Sequence, residues 1–192
     1  MTLIQNKNFN KNTLFENEFE FSTFKNCFFK FTILKDKKFI DCNFVDIDFG
    51  NSDLINCEFI NCNFSNCELF HTNFKNCLFK QVSGSEFDLR AGVLEKNTFN
   101  YCNFFNSCFR GSKMSDNNYN NFSLSNCDMK NIIFLKNIYN ETEYKLCNFF
   151  KSKFINEQIS HLNFKNSNTF LCVFQNCQGL ILEELDKHII LN

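Results

Sequence analysis

One apolar residue recurs at every fifth position from Phe9 to Gly179, and no insertion or deletion shifts the frame. Of these 35 positions, 32 are Phe, Leu, Met, Tyr or Ile; only Gly84, Thr169 and Gly179 depart. A helix face repeats near 3.6 residues and a strand face every 2, so neither accounts for a period of five. A strict period of five means that each unit takes one step from corner to corner and points the same atom inward each time. Such a unit cannot bury its apolar side chain alone, whereas stacked coils share one continuous core.

The residue two places before each central one is equally regular. It is Cys at 27, 42, 57, 62, 67, 77, 102, 127, 147, 172 and 177, and Ser or Thr at 22, 32, 52, 72, 107, 112, 142, 152 and 167. Eleven of the twelve cysteines fall there, and Cys108 is the exception. Spacings of five, as in Cys57/Cys62/Cys67, are not the two to four residues that chelate zinc. Thiols at an inward position pack as small apolar groups instead. If four units make one coil, Cys42 stacks on Cys62, Cys57 on Cys77 and Cys127 on Cys147, and oxidation of such pairs is chemically open.

Turns ordinarily draw on Gly and Pro. This chain has five Gly and no Pro in 192 residues, so it must turn by a regular device that needs neither. No apolar run reaches the length of a membrane span, and Met1–Lys7 lacks the apolar core of a signal segment. A cytoplasmic location with reduced cysteines is the expectation.

The unit of a small residue, Asp or Asn, Leu or Phe and two outward residues resembles that of the pentapeptide-repeat family. Cys-Asn-Phe at 42–44, 62–64, 102–104 and 147–149 and Ser-Asp-Leu at 52–54 match it directly. The resemblance implies an all-β fold, a right-handed quadrilateral β-helix of about nine coils at ~4.8 Å per coil. It assigns 1–179 to the solenoid and 180–192 to a C-terminal cap. Residues 1–6 are expected to cap the first open edge. At the other end, 180–188 reads as a short amphipathic capping helix with apolar Ile181, Leu182, Leu185 and Ile189. Phe87 and Phe122 occupy small inward positions and Gly84 empties a central one, so 82–92 is the expected site of a distorted coil.

Catalysis finds no support, and no cofactor or metal is implied. His71, His161 and His188 are isolated, no nucleophile has a recognisable partner, and there is no Gly-rich phosphate loop. Charge is more informative. Formal net charge is only -1, yet 39–74 contains no Lys or Arg and six acids: Asp41, Asp46, Asp48, Asp53, Glu58 and Glu68. On a twenty-residue coil Asp48, Glu68 and Asp88 fall in one column, with Asp128 beyond Cys108. The repeat's own preference for Asp or Asn at this position also produces such columns. Lys145, Lys151, Lys153 and Lys165 make the later coils basic. Phe15, Phe21, Phe28, Phe31, Phe105, Phe150 and Phe170 lie off the central register and face outward, with Phe150 stacked on Phe170.

Length, the continuous repeat and the ending Gln178-Gly179-Leu180 before Glu183-Glu184-Leu185 resemble the quinolone-resistance (Qnr), mycobacterial MfpA and microcin-immunity (McbG) types. That resemblance implies a homodimer through the C-terminal end, here Leu182, Leu185, Ile189, Ile190 and Leu191. It implies a rod that mimics DNA, binding DNA gyrase or topoisomerase IV and protecting it from quinolones or gyrase toxins. Asp46, Asp48, Asp53, Glu58, Glu68 and Asp88 would form the partner-binding belt, with neither nucleic acid nor membrane bound directly. The unbroken register leaves no room for the long loops of many quinolone-resistance proteins. The alternative is a general scaffold for another protein partner.

Overall fold

The computed structural model describes residues 2–10, 16–179, 185 and 190–191. The chain winds into a four-sided coil in which strand residues of successive coils pair, in parallel, twenty apart, as in Phe24↔Phe44 and Phe44↔Phe64. Three sides are sheets. The first is a nine-stranded sheet from Thr2–Gln5 to Leu162–Asn163. The second, also nine-stranded, runs from Ile33–Lys35 to Ile190–Leu191, and the third has seven strands from Glu18–Glu20 to Ile138–Asn140. From Ile4 to Phe164 the first sheet makes eight full turns, one strand per pass. No helix occurs among the described residues, and none there is long and apolar enough to cross a membrane.

The fourth side is held by single bridges rather than strands, running Asn8, Phe28, Asp48, Glu68, Asp88, Cys108, Asp128, Asn148 and Asn168. At the Asp and Asn positions of this side a local turn is present as well. Here the Asp or Asn before the central residue folds its side chain onto the backbone N–H two residues on. Gly50 donates to Asp48 Oδ1 at 2.8 Å, Arg90 to Asp88 at 3.0 Å and Phe170 to Asn168 at 2.9 Å. This local Asx bond competes with the inter-coil ladder.

The turning device is the second residue after each central one. Among the described residues, thirty-one non-glycine residues adopt φ of 47° to 59°, all of them at this position. Left-handed backbone costs an ordinary L-residue roughly 1–2 kcal/mol, less for Asn and Asp, whose short polar side chains bond locally. Eighteen of the 31 are Asn or Asp, which is why the chain is rich in Asn. Many then bond along the rod: Asn56 Nδ2 donates to Asp36 at 2.9 Å and Asn126 Nδ2 to Asn106 at 2.8 Å.

Inside, the central side chains form ladders. Phe39, Phe59, Phe79, Phe99, Tyr119 and Tyr139 stack at 4.7 to 5.3 Å between ring centroids, nearly parallel. That spacing follows from the ~4.8 Å between paired strands and suits offset stacking. Rings on adjacent sides meet edge to face, as Phe39 and Phe44 do. The inward cysteines are buried, apart from half-buried Cys177, and all are unbridged. Their thiols donate to carbonyls of the coil below, as Cys62 does to Phe39 O at 3.4 Å.

Three expectations change. Residues 1–6 are not a separate cap: Thr2–Gln5 are the first strand, pairing with Ser22–Lys25, and Ile4 continues the register. Residues 82–92 keep their register, since Ser83–Ser85 pairs with Asn63–Ser65 below and Asn103–Phe105 above. The empty central position at Gly84 is filled by the ring of Phe87, so two irregularities cancel; a Cβ on Gly84 would lie 2.9 Å from Phe87 Cε1. Of the expected helix at 180–188, only Leu185 falls among the described residues, half-buried against the core. Ile190 and Leu191 add a final strand beside Val173–Gln175.

Candidate functional site

The predicted acidic belt does not stay together when it is wound. Asp53 lies on the second sheet, where Asn73 Nδ2 bonds it at 2.7 Å, and Glu58 on the third. Asp46, Asp48, Glu68 and Asp88 do converge, on the fourth side and its leading corner. With them comes Glu86, which the belt reading passed over because beyond the Lys-free stretch it followed only the column of Asp48, Glu68 and Asp88. The corner period alone could have found it, since 46, 66 and 86 share one column. These five carboxylates line a groove whose margins are Phe28, Phe70 and Arg90.

Several of the acids already have work to do in the fold. Asp46 accepts from Asn66 Nδ2 at 2.8 Å. Asp48 caps its own turn and lies 3.7 Å from Lys30 Nζ. Asp88 caps its turn and holds the Arg90 guanidinium at 2.6 Å. Arg90 also lies 5.7 Å from the ring centre of Phe70, a cation–π distance. Glu68 and Glu86, both exposed, have no ion pair among the described residues. Like charges one coil apart repel by roughly 1 kcal/mol in water and several-fold more beside protein. A cationic partner would relieve that repulsion. Gly50, between Lys30 and Phe70 in the next column, leaves the groove open where a side chain would cover it.

Further along the same side the pattern reverses. Arg90, Arg110 and Lys130 form a basic column beside Asp88, Cys108 and Asp128. Lys130 pairs with Asp128 at 3.7 Å, while half-buried Cys108 stands where an acid would face Arg110. Burial raises the Cys108 thiol, and the neighbouring carboxylates of Asp88 and Asp128 raise it further. Among the described residues no three His, Cys, Asp or Glu side chains form a metal-holding group.

The outward aromatics are where the register places them. Phe21, Phe28, Phe31 and Phe105 are exposed, and Phe150 stacks on Phe170 at 6.1 Å with rings 4° from parallel. Phe15 lies outside the described residues, as do Leu182 and Ile189 of the expected dimer surface.

A family model described as pentapeptide repeats, in eight copies, matches residues 42–81. Residues 42–81 thus carry the repeat of that family, inside a five-residue register that runs on from Phe9 to Gly179. The fold is shared with HetL, a pentapeptide-repeat protein involved in heterocyst differentiation regulation in the cyanobacterium Nostoc sp. strain PCC 7120. That likeness has a TM-score of 0.57 at 9% identity, over 93% of this chain and 89% of HetL. QnrB1, a plasmid-mediated fluoroquinolone resistance protein, aligns over 100% of this chain and 89% of its own, with TM-score 0.49 and 17% identity. No curated protein sequence matches this chain.

Proposed function

We propose that this rod is a non-enzymatic binding protein that docks a basic protein surface in its acidic groove, and that the partner is DNA gyrase or topoisomerase IV. The observation that carries the reading is the groove itself. Five carboxylates stand on consecutive coils, and three exposed ones, Asp46, Glu68 and Glu86, lack a counter-ion among the described residues. Steps of ~4.8 Å place charge at a density comparable with one strand of duplex DNA, at 3.4 Å per phosphate along the axis. A protein that grips DNA through cations would meet a similar field here. The sequence resemblance to the quinolone-resistance type supplies the partner's name.

The test is gyrase supercoiling under ciprofloxacin. The intact protein should relieve inhibition, and Glu68→Lys with Glu86→Lys should abolish relief while leaving the fold intact. No relief at any dose, with no gyrase binding, removes the topoisomerase reading. The scaffold alternative has its own support. Phe21, Phe31 and Tyr101 are 57%, 68% and 61% exposed and sit at left-handed corners, costly places for aromatics. A single non-topoisomerase partner lost on Phe31→Asn would favour it.

A further inference from the structure

The small inward column of the third sheet contains a polar ladder that neither the repeat nor the groove explains. Asn97, Asn117, Asn137 and Glu157 are at most 1% exposed and stand one above another. Asn97 gives its backbone and side-chain amides to Asn117 Oδ1 at 2.9 and 3.1 Å. Asn117 does the same to Asn137 Oδ1, at 3.0 Å each. Asn137 does it to the Glu157 carboxyl at 3.1 to 3.3 Å. The rungs also share a second bond. Cys57, Cys77, Asn97, Asn117, Asn137 and Cys177 each donate to the central carbonyl 23 residues earlier, on Leu34, Leu54, Phe74, Leu94, Met114 and Phe154. Glu157 is the one member of this series that carries no hydrogen for that bond when ionised. As a neutral acid it has one.

We propose that Glu157 is a proton-operated latch: neutral, it completes the ladder and holds the last coils closed, and on ionising it loosens them. The groups around it agree. Tyr119, Tyr139 and Tyr144 of the surrounding strands are fully buried with it. The Tyr139 hydroxyl is near enough to favour the charged form yet makes no hydrogen bond, and the Tyr144 hydroxyl is likewise unpartnered. The Asp116 carboxylate opposes ionisation, half-buried Cys177 lies in the coil above, and Lys136 at the adjoining corner is exposed to solvent. A buried charge with so few donors is costly.

Burial pushes the carboxyl up to about 7, against hydrogen bonds from Asn137 and the nearness of Tyr139. The folded value therefore lies above the unfolded one, so folding takes up a proton between them. The stabilisation is complete below the ordinary glutamate range and is lost as pH rises through neutrality. On full ionisation the opening constant of the last coils would rise by up to about 300-fold.

The experiment has two arms. Amide hydrogen exchange over 138–178, corrected for intrinsic rate, should quicken from about pH 5.5 to 8.5 in the native protein and lose that dependence in Glu157→Gln. An equal pH slope in both proteins overturns the latch. Should the variant not fold, NMR titration of the Glu157 side-chain carbon in the native protein decides. A midpoint near 7 supports the latch, and one in the ordinary carboxylate range overturns it.

Discussion

The exchange of roles between Gly84 and Phe87 makes a strong test of how this core is built. Phe87 is 5% exposed and meets Phe104 and Phe109 edge to face at 5.2 and 5.3 Å. A cavity of only about 30 Å³ remains among the rings, which at ~24 cal/mol per Å³ is under about 1 kcal/mol of lost packing. Phe87→Ser alone would enlarge it, and rings clamped between hydrogen-bonded coils have little freedom to collapse. Its cost should approach the upper end of the 3–5 kcal/mol typical of a deleted buried Phe. Gly84→Leu alone fails in the opposite sense. Its Cβ would lie 2.8 Å from Phe104 Cδ1 and 2.9 Å from Phe87 Cε1, an overpacking that costs about 1–3 kcal/mol. Together the two changes restore the repeat's ordinary pair, a small inward residue before a large central one. The new serine would have the same kind of carbonyl to bond that Ser167 finds in Tyr144 O at 2.9 Å. The double variant should therefore lie within about 2 kcal/mol of the native protein, a coupling of at least ~2 kcal/mol. Urea unfolding followed by circular dichroism, with equal m-values, measures the cycle. Single effects that add to within ~0.5 kcal/mol would refute the reasoning.

Three further outcomes are expected. Phe31→Asn, at φ 58°, should raise stability by about 1 kcal/mol, since Asn accepts left-handed backbone and the ring is exposed; a lower thermal midpoint would count against this. Binding in the groove should weaken steeply as salt rises, because exposed charges steer the encounter; salt-insensitive affinity would move the interface elsewhere. If the C-terminal end joins two copies, Ile190→Asp with Leu191→Asp should convert a dimer to a monomer in sedimentation, and unchanged sedimentation would place self-association elsewhere.

Acid–base behaviour and surface charge were less legible than the core. The column Asp48, Glu68, Asp88 could be read from a twenty-residue coil, and the bridges run through those residues. What the column does could not be read. Asp48 and Asp88 cap turns and pair with Lys30 and Arg90, contacts that depend on which side of the coil carries the Asx bond. The Asn–Glu ladder was hidden for a related reason. Asn97 and Glu157 sit at positions where the repeat expects a small residue, and their burial becomes visible only when their partners are stacked above and below.

The five-residue register by itself determined the stacked coils and the fate of eleven cysteines, because a period that fits neither helix nor strand leaves stacked turns as the way to bury every fifth side chain; the four-unit coil came from the family resemblance. It also required a turning device other than Gly and Pro, which the structure shows to be left-handed corners rich in asparagine. Only the tertiary structure decided which acids meet. Twenty residues of winding carry Asp53 and Glu58 to other sides and bring Glu86 beside Glu68. It also decided that Gly84 needs Phe87, and that Glu157 stands in the core with nothing but amides and hydroxyls to share its proton. Contacts between coils join residues twenty apart in the chain, and a local pattern specifies the step between them without specifying what each step places side by side.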